Sequence, residues 1–289
     1  MTAASSSPTA ILLSSCPDQP GIVHSTTGLI AEHGGNIVHL DQHVDTEANT
    51  LFMRIEWTLE NFSLSHDELL PSLQPIIDRF QMRADLEISD TVPRAAIFVS
   101  KESHCLHDLL SRHESGELHI DIPLIISNHE SLKPVADRFD IPFHHFPITP
   151  DTKSDQESAE LELLRSENID TVILARYMQI LSSRLIDAFP SKIINIHHSF
   201  LPAFPGARPY HSAHARGVKI IGATSHYVTE DLDEGPIIAQ DVIHVSHRDS
   251  VQDLIRRGKD LEKIVLARAL WAHTQRRVLV YDNKTIVFR

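Results

Sequence analysis

The sequence predicts an α/β protein with two domains. Up to Ile88, apolar runs of strand length and helical patterns follow the order β-α-β-β-α-β, which is the ferredoxin-like arrangement. Beyond a short polar linker, short apolar runs alternate with helical patterns, as in parallel βαβ units. We therefore expect a ferredoxin-like domain over residues 8–89 and a doubly wound, mostly parallel α/β domain over residues 94–289.

The first domain begins with the apolar run Ala10–Ser15. The turn Asp18–Gly21 leads into a helical stripe, and Gly34-Gly35-Asn36 is a strong signal for the end of that helix. Two strands with a polar turn between them follow, and then a helix and a closing strand. These four elements are predicted at Ile37–Val44, Leu51–Trp57, His66–Phe80 and Met82–Ile88.

The second domain begins after the linker Ser89–Arg94. Its predicted strands are Ala95–Val99, Ile122–Ile126, Thr171–Leu174, Lys192–Ile196 and Ile220–Val228. The helical patterns between the earlier strands are Cys105–Leu110, Lys133–Phe139 and Ser158–Ser166. A long amphipathic helix is predicted over Asp249–Gln275, followed by a hairpin of Val278–Tyr281 and Thr285–Phe288. In a doubly wound sheet, ligands bind beyond the carboxyl ends of the strands.

Composition excludes several classes of protein. Hydrophobic residues make up 42% of the chain and charged residues 22%, which is ordinary for a globular domain. The net charge of −13 disfavours general binding to nucleic acid or to an anionic membrane. No apolar run approaches the ~20 residues that span a bilayer, and no signal peptide is visible. The only cysteines are Cys16 and Cys105, so we expect a cytoplasmic protein without disulfides or a cysteine zinc site.

The most informative stretch for chemistry begins at the strand end Asn195-Ile-His197. Two residues apart on a strand, Asn195 and His197 share a face, and His198 is expected on the opposite face. The two adjacent histidines are therefore poor joint ligands for one metal ion, and we expect no metal. The loop that follows contains Gly206 among several prolines, including Pro205, and such a rigid loop suits the wall of an active site.

Further along, the acidic turn Asp231–Pro236 is able to return a carboxylate, Asp233, towards His197. An amide can donate to a developing oxyanion, and an imidazole beside a carboxylate can donate a proton. Such a set performs acyl transfer without a nucleophilic side chain, and no G-x-S-x-G motif supports a covalent serine route. Strand-end histidines and turn aspartates are also common structural features, so spacing alone leaves both interpretations open.

Several ordered motifs resemble those of the folate-dependent formyltransferase family. They are Asn195-Ile-His197, Ser199-Phe-Leu201-Pro202, the stretch Gly222–Thr229, and Asp233-Glu-Gly235-Pro236. Upstream, Leu174–Leu181 resembles the pterin-binding loop of that family, with the departure that Gln179 stands where the formyltransferases often carry arginine. The resemblance covers the chain from Arg94 onwards.

The resemblance implies a role for each matching residue. Asn195 would bind the formyl oxygen, His197 would stabilise the tetrahedral intermediate, and Asp233 would raise the proton affinity of the histidine and relay a proton. The folate itself would be the substrate, with no separate cofactor and no metal. The residues that would line its pocket are Arg176, Tyr177, Met178, Ile180, Leu181, Tyr210, His226 and Val228.

The N-terminal domain resembles an ACT domain through Ser15–Val23 and Gly34-Gly35-Asn36-Ile37. This regulatory module often binds amino acids between two copies, which implies a possible amino-acid effector and a homo-oligomer such as a dimer or tetramer. An ACT domain joined to a formyltransferase-like domain resembles the layout of the formyltetrahydrofolate deformylases. The reaction implied is hydrolysis of 10-formyltetrahydrofolate to formate and tetrahydrofolate.

Two alternative functions are transfer of the formyl group to an amine, and non-catalytic sensing of folate or an amino acid. Glycinamide ribonucleotide formyltransferases resemble this chain but carry a glycine-rich phosphate loop where this sequence has Val99–Cys105, without glycine and with Glu102. Glycines allow backbone N–H groups to approach a phosphate, so their absence disfavours a phosphorylated acceptor. A helix N-cap at Ser100 or Ser103 is the simpler interpretation of this segment. The intact set of Asn195, His197 and Asp233 disfavours a sensor.

Overall fold

A computed structural model describes residues 8–203 and 209–289 of the chain. These residues form two compact units. The first contains the described residues up to Val92 together with Arg276–Leu279 and Ile286–Arg289, and the second contains Pro93–Gln275 and Val280–Thr285. The sequence analysis placed every residue from 94 onwards in the second domain. In the structure, Arg276–Leu279 and Ile286–Arg289 belong to the first unit instead. Among the described residues, no helix has the length and apolar character needed to cross a membrane.

The first unit has the predicted ferredoxin-like order, with one four-stranded antiparallel sheet in the order β2-β3-β1-β4. Helix α1 ends before Gly34, whose φ of 81° favours glycine. Gly35 is required for a different reason: a Cβ there would lie within 3 Å of Ile30, Trp57 and Phe62. The elements are β1 (Thr9–Pro17), α1 (Ile22–Glu32), β2 (Ile37–Asp45), β3 (Thr50–Thr58), α2 (His66–Phe80) and β4 (Arg83–Ile88).

The second unit contains a seven-stranded sheet in the order β11-β10-β9-β8-β5-β6-β7. The five strands from β9 to β7 are parallel, while β10 runs antiparallel to both of its neighbours. This confirms the predicted mostly parallel sheet. Its elements are β5 (Arg94–Val99), α3 (His104–Glu114), β6 (Asp121–Ser127), α4 (Lys133–Arg138), β7 (Phe143–His145), α5 (Lys153–Ser166), β8 (Thr171–Leu174), α6 (Ser183–Ala188), β9 (Ile193–His197), α7 (Pro209–Arg216), β10 (Ile220–Tyr227), β11 (Ile237–His244) and α8 (Val251–Thr274).

The order of the strands places a topological switch point between β5 and β8. From β5 the chain moves to β6 and β7 on one side, and then crosses back to β8 and β9 on the other. Ligands bind outside the carboxyl ends of the strands at such a point. The residues that end or follow these strands there include Ser100, Arg176 and His197.

The elements that were not predicted include β7, α6 and β11. Strand β7 has three residues and α6 has six, and neither is long enough to show a clear period. Strand β11 directly follows the acidic turn, and its exposure does not alternate regularly because it lies at the edge of the sheet. The predicted terminal hairpin is present as β12 (Val278–Tyr281) and β13 (Lys284–Val287).

Candidate active site

Strand β9 supplies two of the predicted catalytic side chains. Asn195 and His197 are two residues apart and share one face of the strand. Across the ladder, His226 on β10 stands directly opposite Asn195, and its Nε2 lies 3.2 Å from Asn195 Nδ2. Because cross-strand neighbours lie on the same face, β10 brings an imidazole to the predicted amide.

The third predicted side chain, Asp233, reaches this face through the turn between β10 and β11. The N–H group of Tyr227 donates to the carbonyl of Pro236 at 2.9 Å, which closes the turn. A Cβ on Gly235 would lie 1.8 Å from the Tyr227 carbonyl oxygen, so only glycine fits there. Asp233 itself has a φ of 60°, a left-handed conformation that aspartate tolerates better than most residues.

The carboxylate of Asp233 lies between two imidazole rings. Its Oδ2 is 3.2 Å from His197 Nδ1, and its Oδ1 is 3.7 Å from His226 Nε2. The hydrogen bond with His197 is the largest cause that holds the pKa of Asp233 well below its usual range. Asp233 is therefore ionised at neutral pH, and it orients His197 with Nδ1–H as the donor.

Beyond these contacts, His197 and Asn195 each retain a polar group that is available to a ligand. His197 Nε2 is buried and has no hydrogen-bond partner among the described residues. His226 Nδ1 lies 2.9 Å from the Tyr227 carbonyl, and because a carbonyl only accepts, the ring proton sits on Nδ1. In the neutral ring, His226 Nε2 then accepts from the amide of Asn195, and the second N–H of that amide remains available.

A cavity of about 280 Å³ opens beside these side chains. All of the predicted site residues except Tyr210 line it, and so does Gln179. Those that do are Arg176, Tyr177, Met178, Ile180, Leu181, Asn195, His197, His226, Val228 and Asp233. Most of the wall is apolar, with polar groups concentrated at a few positions, as in pockets for small organic ligands.

Tyr210 is not among the residues that line this cavity. Its hydroxyl donates to Oε1 of the buried Glu262 at 2.7 Å. Helix α8 admits the hydroxyl because residue 258 is glycine: a Cβ there would lie 2.0 Å from the Tyr210 oxygen. A place for Tyr210 in the folate cleft therefore stays a prediction. Pro205 and Gly206, which were predicted to shape the cleft wall, lie outside the described residues.

His198 departs from its predicted position. Strand β9 ends at His197, so the alternation of strand faces no longer applies to the next residue. The ring centroids of His197 and His198 are 5.1 Å apart, and both residues line the cavity. Burial lowers the pKa of His198 to about 4, so this ring is neutral at neutral pH.

The loop after β8 carries five of the predicted folate contacts. Hydrogen bonds from residues that the sequence analysis missed stabilise this loop. The hydroxyl of Ser100 accepts from the N–H of Met178 at 2.9 Å and donates to Asn128 Oδ1 at 2.7 Å. Tyr177 donates its hydroxyl to Glu160 at 3.3 Å. The N–H of Ser182 donates to a second carboxylate on α5 at 3.0 Å. Ser100 was considered only as a helix cap, whereas α3 begins after Ser103, which makes no side-chain cap.

One group of described residues has the composition of a metal site. Ligand atoms of His104, Cys105 and Glu262 lie within 4.8 Å of one another. Glu262 already accepts from His104 at 2.8 Å and from Tyr210, and Arg176 Nε lies 3.5 Å from it. Burial raises the pKa of the Cys105 thiol well above its usual value, which opposes the thiolate that a metal needs. The chemistry of this group does not favour a cation.

Comparison with known proteins agrees with this architecture. A family model described as Formyl transferase matches residues 93–270, and a model of the ACT domain matches residues 10–63. A formyltetrahydrofolate deformylase of Synechocystis sp. is 58% identical over 97% of this chain and 98% of its own length. The chain belongs to the formyltetrahydrofolate deformylase family. Membership of this family makes it an enzyme, as the sequence analysis expected.

Two further members of the deformylase family extend the comparison. The formyltetrahydrofolate deformylase of Bacillus subtilis is 48% identical over 96% of this chain and 93% of its own length. The crystal structure of a formyltetrahydrofolate deformylase from Pseudomonas syringae superimposes with a TM-score of 0.96 at 46% identity, covering 99% of this chain and 96% of that chain. Both the ACT domain and the formyltransferase-like domain are therefore shared across the family.

Proposed function

We propose that the protein hydrolyses 10-formyltetrahydrofolate to formate and tetrahydrofolate, with water attacking the formyl carbon beside Asn195, His197 and Asp233. The observation that carries this proposal is the convergence of an ionised carboxylate, an oriented imidazole with an unpartnered Nε2, and an amide at one end of the cavity. Together these groups provide a base, an acid and an oxyanion donor.

In the proposed mechanism, His197 transfers the protons. The hydrogen bond with His197 holds Asp233 ionised, so this carboxylate is a weak base, whereas the imidazole that it orients has a free lone pair on Nε2. His197 takes a proton from water as the water oxygen bonds to the formyl carbon. Asp233 stabilises the resulting imidazolium, which then donates its proton to N10 of the folate as the C–N bond breaks. Formic acid ionises to formate.

Asn195 is proposed to stabilise the oxyanion of the tetrahedral intermediate. One N–H of its amide is directed to His226 Nε2, which fixes the plane of the amide. The other N–H is then available to the formyl oxygen. Because a preorganised donor does not need to reorient during the reaction, it stabilises the transition state more than a mobile one. His226 is a positioning residue in this account.

The apolar wall of the cavity is proposed to hold the pterin and benzoyl parts of the folate. Met178, Ile180 and Leu181 lie on one segment of the wall, and Val228 contributes from the end of β10. Met178 and Ile180 have more than half of their surface exposed, so apolar area is available for a ligand to cover. Tyr177 is buried and supports this segment through its hydroxyl.

Contacts at the start of α3 argue against transfer to a phosphorylated amine. Glu102 pairs with Lys259 at 2.5 Å, and His104 pairs with Glu262 at 2.8 Å. Two of the basic groups next to the segment Val99–Cys105 are therefore already engaged by carboxylates. Water needs only room and a base. No further cofactor and no metal enter this proposal.

The test is incubation of the purified protein with 10-formyltetrahydrofolate without any amine. Hydrolysis predicts equimolar formate and tetrahydrofolate at a rate that added glycinamide ribonucleotide does not increase. Formyl loss that depends on the amine would instead establish a transferase. Tight folate binding without any turnover would establish a sensor.

The ACT domain suggests two finer proposals. The first is an amino-acid effector, for which a shift in melting temperature with individual amino acids is the measurement. The second is a homo-oligomer with two-fold pairing, because the sheet of a ferredoxin-like unit has helices on one face only. Light scattering that shows only ~32 kDa particles would contradict the second. A cytoplasmic location remains part of the proposal.

A further inference from the structure

Arg176 has an unusual backbone conformation for a residue with a long side chain. Its φ is 66°, in the left-handed region that is strained for a residue other than glycine. Strain of this kind persists where the surrounding structure fixes it, and it clusters at ligand-binding sites. The residue directly follows Ala175 at the carboxyl end of β8, next to the topological switch point.

The guanidinium of Arg176 is held by a buried carboxylate. Its Nε lies 3.5 Å from Oε2 of Glu262, whose side chain is 1% exposed. Glu262 is in turn fixed by His104 and Tyr210. Arg176 Nε nevertheless has no hydrogen-bond partner among the described residues. Arg176 is thus within ion-pair distance of Glu262, but its Nε–H does not form a hydrogen bond with that carboxylate.

Arg176 is also the only arginine or lysine among the described residues that line the cavity. The same wall contains the carboxylates of Glu230, Asp231 and Asp233, and the chain as a whole carries a net charge of −13. An anionic ligand entering this cavity therefore meets a repulsive field except near one residue.

The positive charge of Arg176 acts at the reacting end of the cavity. Arg176 and His198 both line the cavity, and after burial the charge of Arg176 is the next cause that lowers the pKa of His198. The His198 ring centroid lies 5.1 Å from that of His197. Because His198 is neutral at neutral pH, Arg176 supplies the fixed positive charge on this side of His197.

We propose that Arg176 forms a carboxylate-binding subsite that receives formate, the acid released from the formyl carbon. This inference rests on the proposed hydrolysis, because formate is the anionic product formed beside His197. A planar guanidinium matches a carboxylate with two parallel hydrogen bonds. Glu262 acts as a positioning residue that neutralises Arg176 while the subsite is empty. The glutamate carboxylate of the folate is the other anion that this chemistry would accept.

The test compares Arg176→Gly with the wild-type protein by line broadening of ¹³C-formate in NMR, without folate. Glycine suits the left-handed backbone, so the substitution removes the charge without adding strain. We expect formate binding to weaken about 10- to 100-fold, the range of a charge-assisted hydrogen bond. Inhibition of hydrolysis by added formate should weaken equally. Arg276→Gly makes the same substitution at another left-handed arginine, in the first unit, and should leave formate binding unchanged.

Two results would overturn the formate subsite. One is an affinity of the Arg176→Gly variant for formate that equals the affinity of the wild-type protein. The other is a raised KM that depends on the number of glutamates on the folate, which would assign Arg176 to the folate tail. If Arg176→Gly does not fold, Arg176→Gln removes the charge with less change in volume. An affinity of that variant for formate equal to the wild-type affinity would also overturn the proposal. Failure of the proposed hydrolysis is seen separately, as a wild-type protein that binds ¹³C-formate but releases none from the folate.

Discussion

Asp233 Oδ2 lies 3.2 Å from His197 Nδ1, although one residue ends a strand and the other lies in a turn two elements later. The pair gives the imidazole a fixed tautomer, with its proton on Nδ1 and its lone pair on Nε2 directed to the cavity. Catalytic imidazoles in acyl-transfer sites need this arrangement, because the ring has to accept one proton and return it. The catalytic proposal depends on this contact.

Asp233→Asn should reduce hydrolysis by about 10²–10⁴-fold, the usual contribution of general acid–base catalysis. The amide is nearly isosteric but leaves the imidazolium without a negative neighbour. Folate affinity, measured by equilibrium binding, should change much less. Glu234→Gln is the matched control, since it neutralises the adjacent, exposed carboxylate. Near-normal turnover in Asp233→Asn would remove Asp233 from the mechanism.

Gly235→Ala should lower kcat at least about tenfold. The new Cβ would meet the Tyr227 carbonyl oxygen at 1.8 Å, so the turn has to move and takes Asp233 with it. Displacements of about 1 Å at a catalytic group cost on the order of 10²-fold in rate. Gly28→Ala, in α1, has no heavy atom within 4 Å of its new Cβ and should leave kcat unchanged. Equal rates in the two variants would show that the turn does not position Asp233.

Ser100→Ala should raise the KM for the folate with little change in kcat. The substitution removes the acceptor of the Met178 N–H, and a lost hydrogen bond of this kind costs about 1 kcal/mol, or about fivefold in an equilibrium constant. Steady-state kinetics separate the two parameters. A fall in kcat at unchanged KM would indicate that Ser100 acts at the reacting end instead.

Glu160→Gln should stabilise the protein at alkaline pH. Burial raises the pKa of Glu160 from its usual 4.5 to about 7, so the unfolded chain loses this proton at lower pH than the folded one. The wild-type protein therefore loses stability between pH 4.5 and 7, by at most about 3 kcal/mol, and the glutamine variant does not. Urea unfolding at several pH values measures the difference, with the exposed Glu162→Gln on the same helix as a control. A difference between Glu160→Gln and wild type that does not change with pH would contradict this account.

Hydrolysis should survive exhaustive chelation. The one candidate metal group among the described residues has its carboxylate, Glu262, engaged by His104 and Tyr210, with Arg176 close by. Activity after dialysis against a strong chelator, followed by metal analysis, tests this expectation. Stoichiometric metal that is lost together with activity would refute it.

Much of the fold could be predicted because its signals are local. The glycines after α1, the alternating strand pattern and the polar linker each depend on a few neighbouring residues. The pairing of Asn195 with His197 follows from the two-residue period of a strand. The alternation of faces applies only within a strand, and β9 ends at His197. For this reason His198, one residue beyond β9, was assigned to the wrong face.

The rest depends on contacts between distant segments. Gly235 brings Asp233 to His197 through a backbone contact with Tyr227, and no local pattern shows which turn glycine has such a neighbour. Gly258 leaves room on α8 for the Tyr210 ring beside Glu262, and a resemblance in sequence cannot show this contact. Ser100 was interpreted as a helix cap because its partner, Met178, lies far along the chain.

The most direct test of the central claim follows the oxygen of the water. The protein is incubated with 10-formyltetrahydrofolate in H₂¹⁸O without an amine, and the formate is analysed by mass spectrometry at early times. Attack of water at the formyl carbon beside His197 and Asp233 predicts one ¹⁸O atom per formate, and Asp233→Asn should form this product at least 10²-fold more slowly. Formate without the label, or labelled formate at the wild-type rate from Asp233→Asn, would contradict the account.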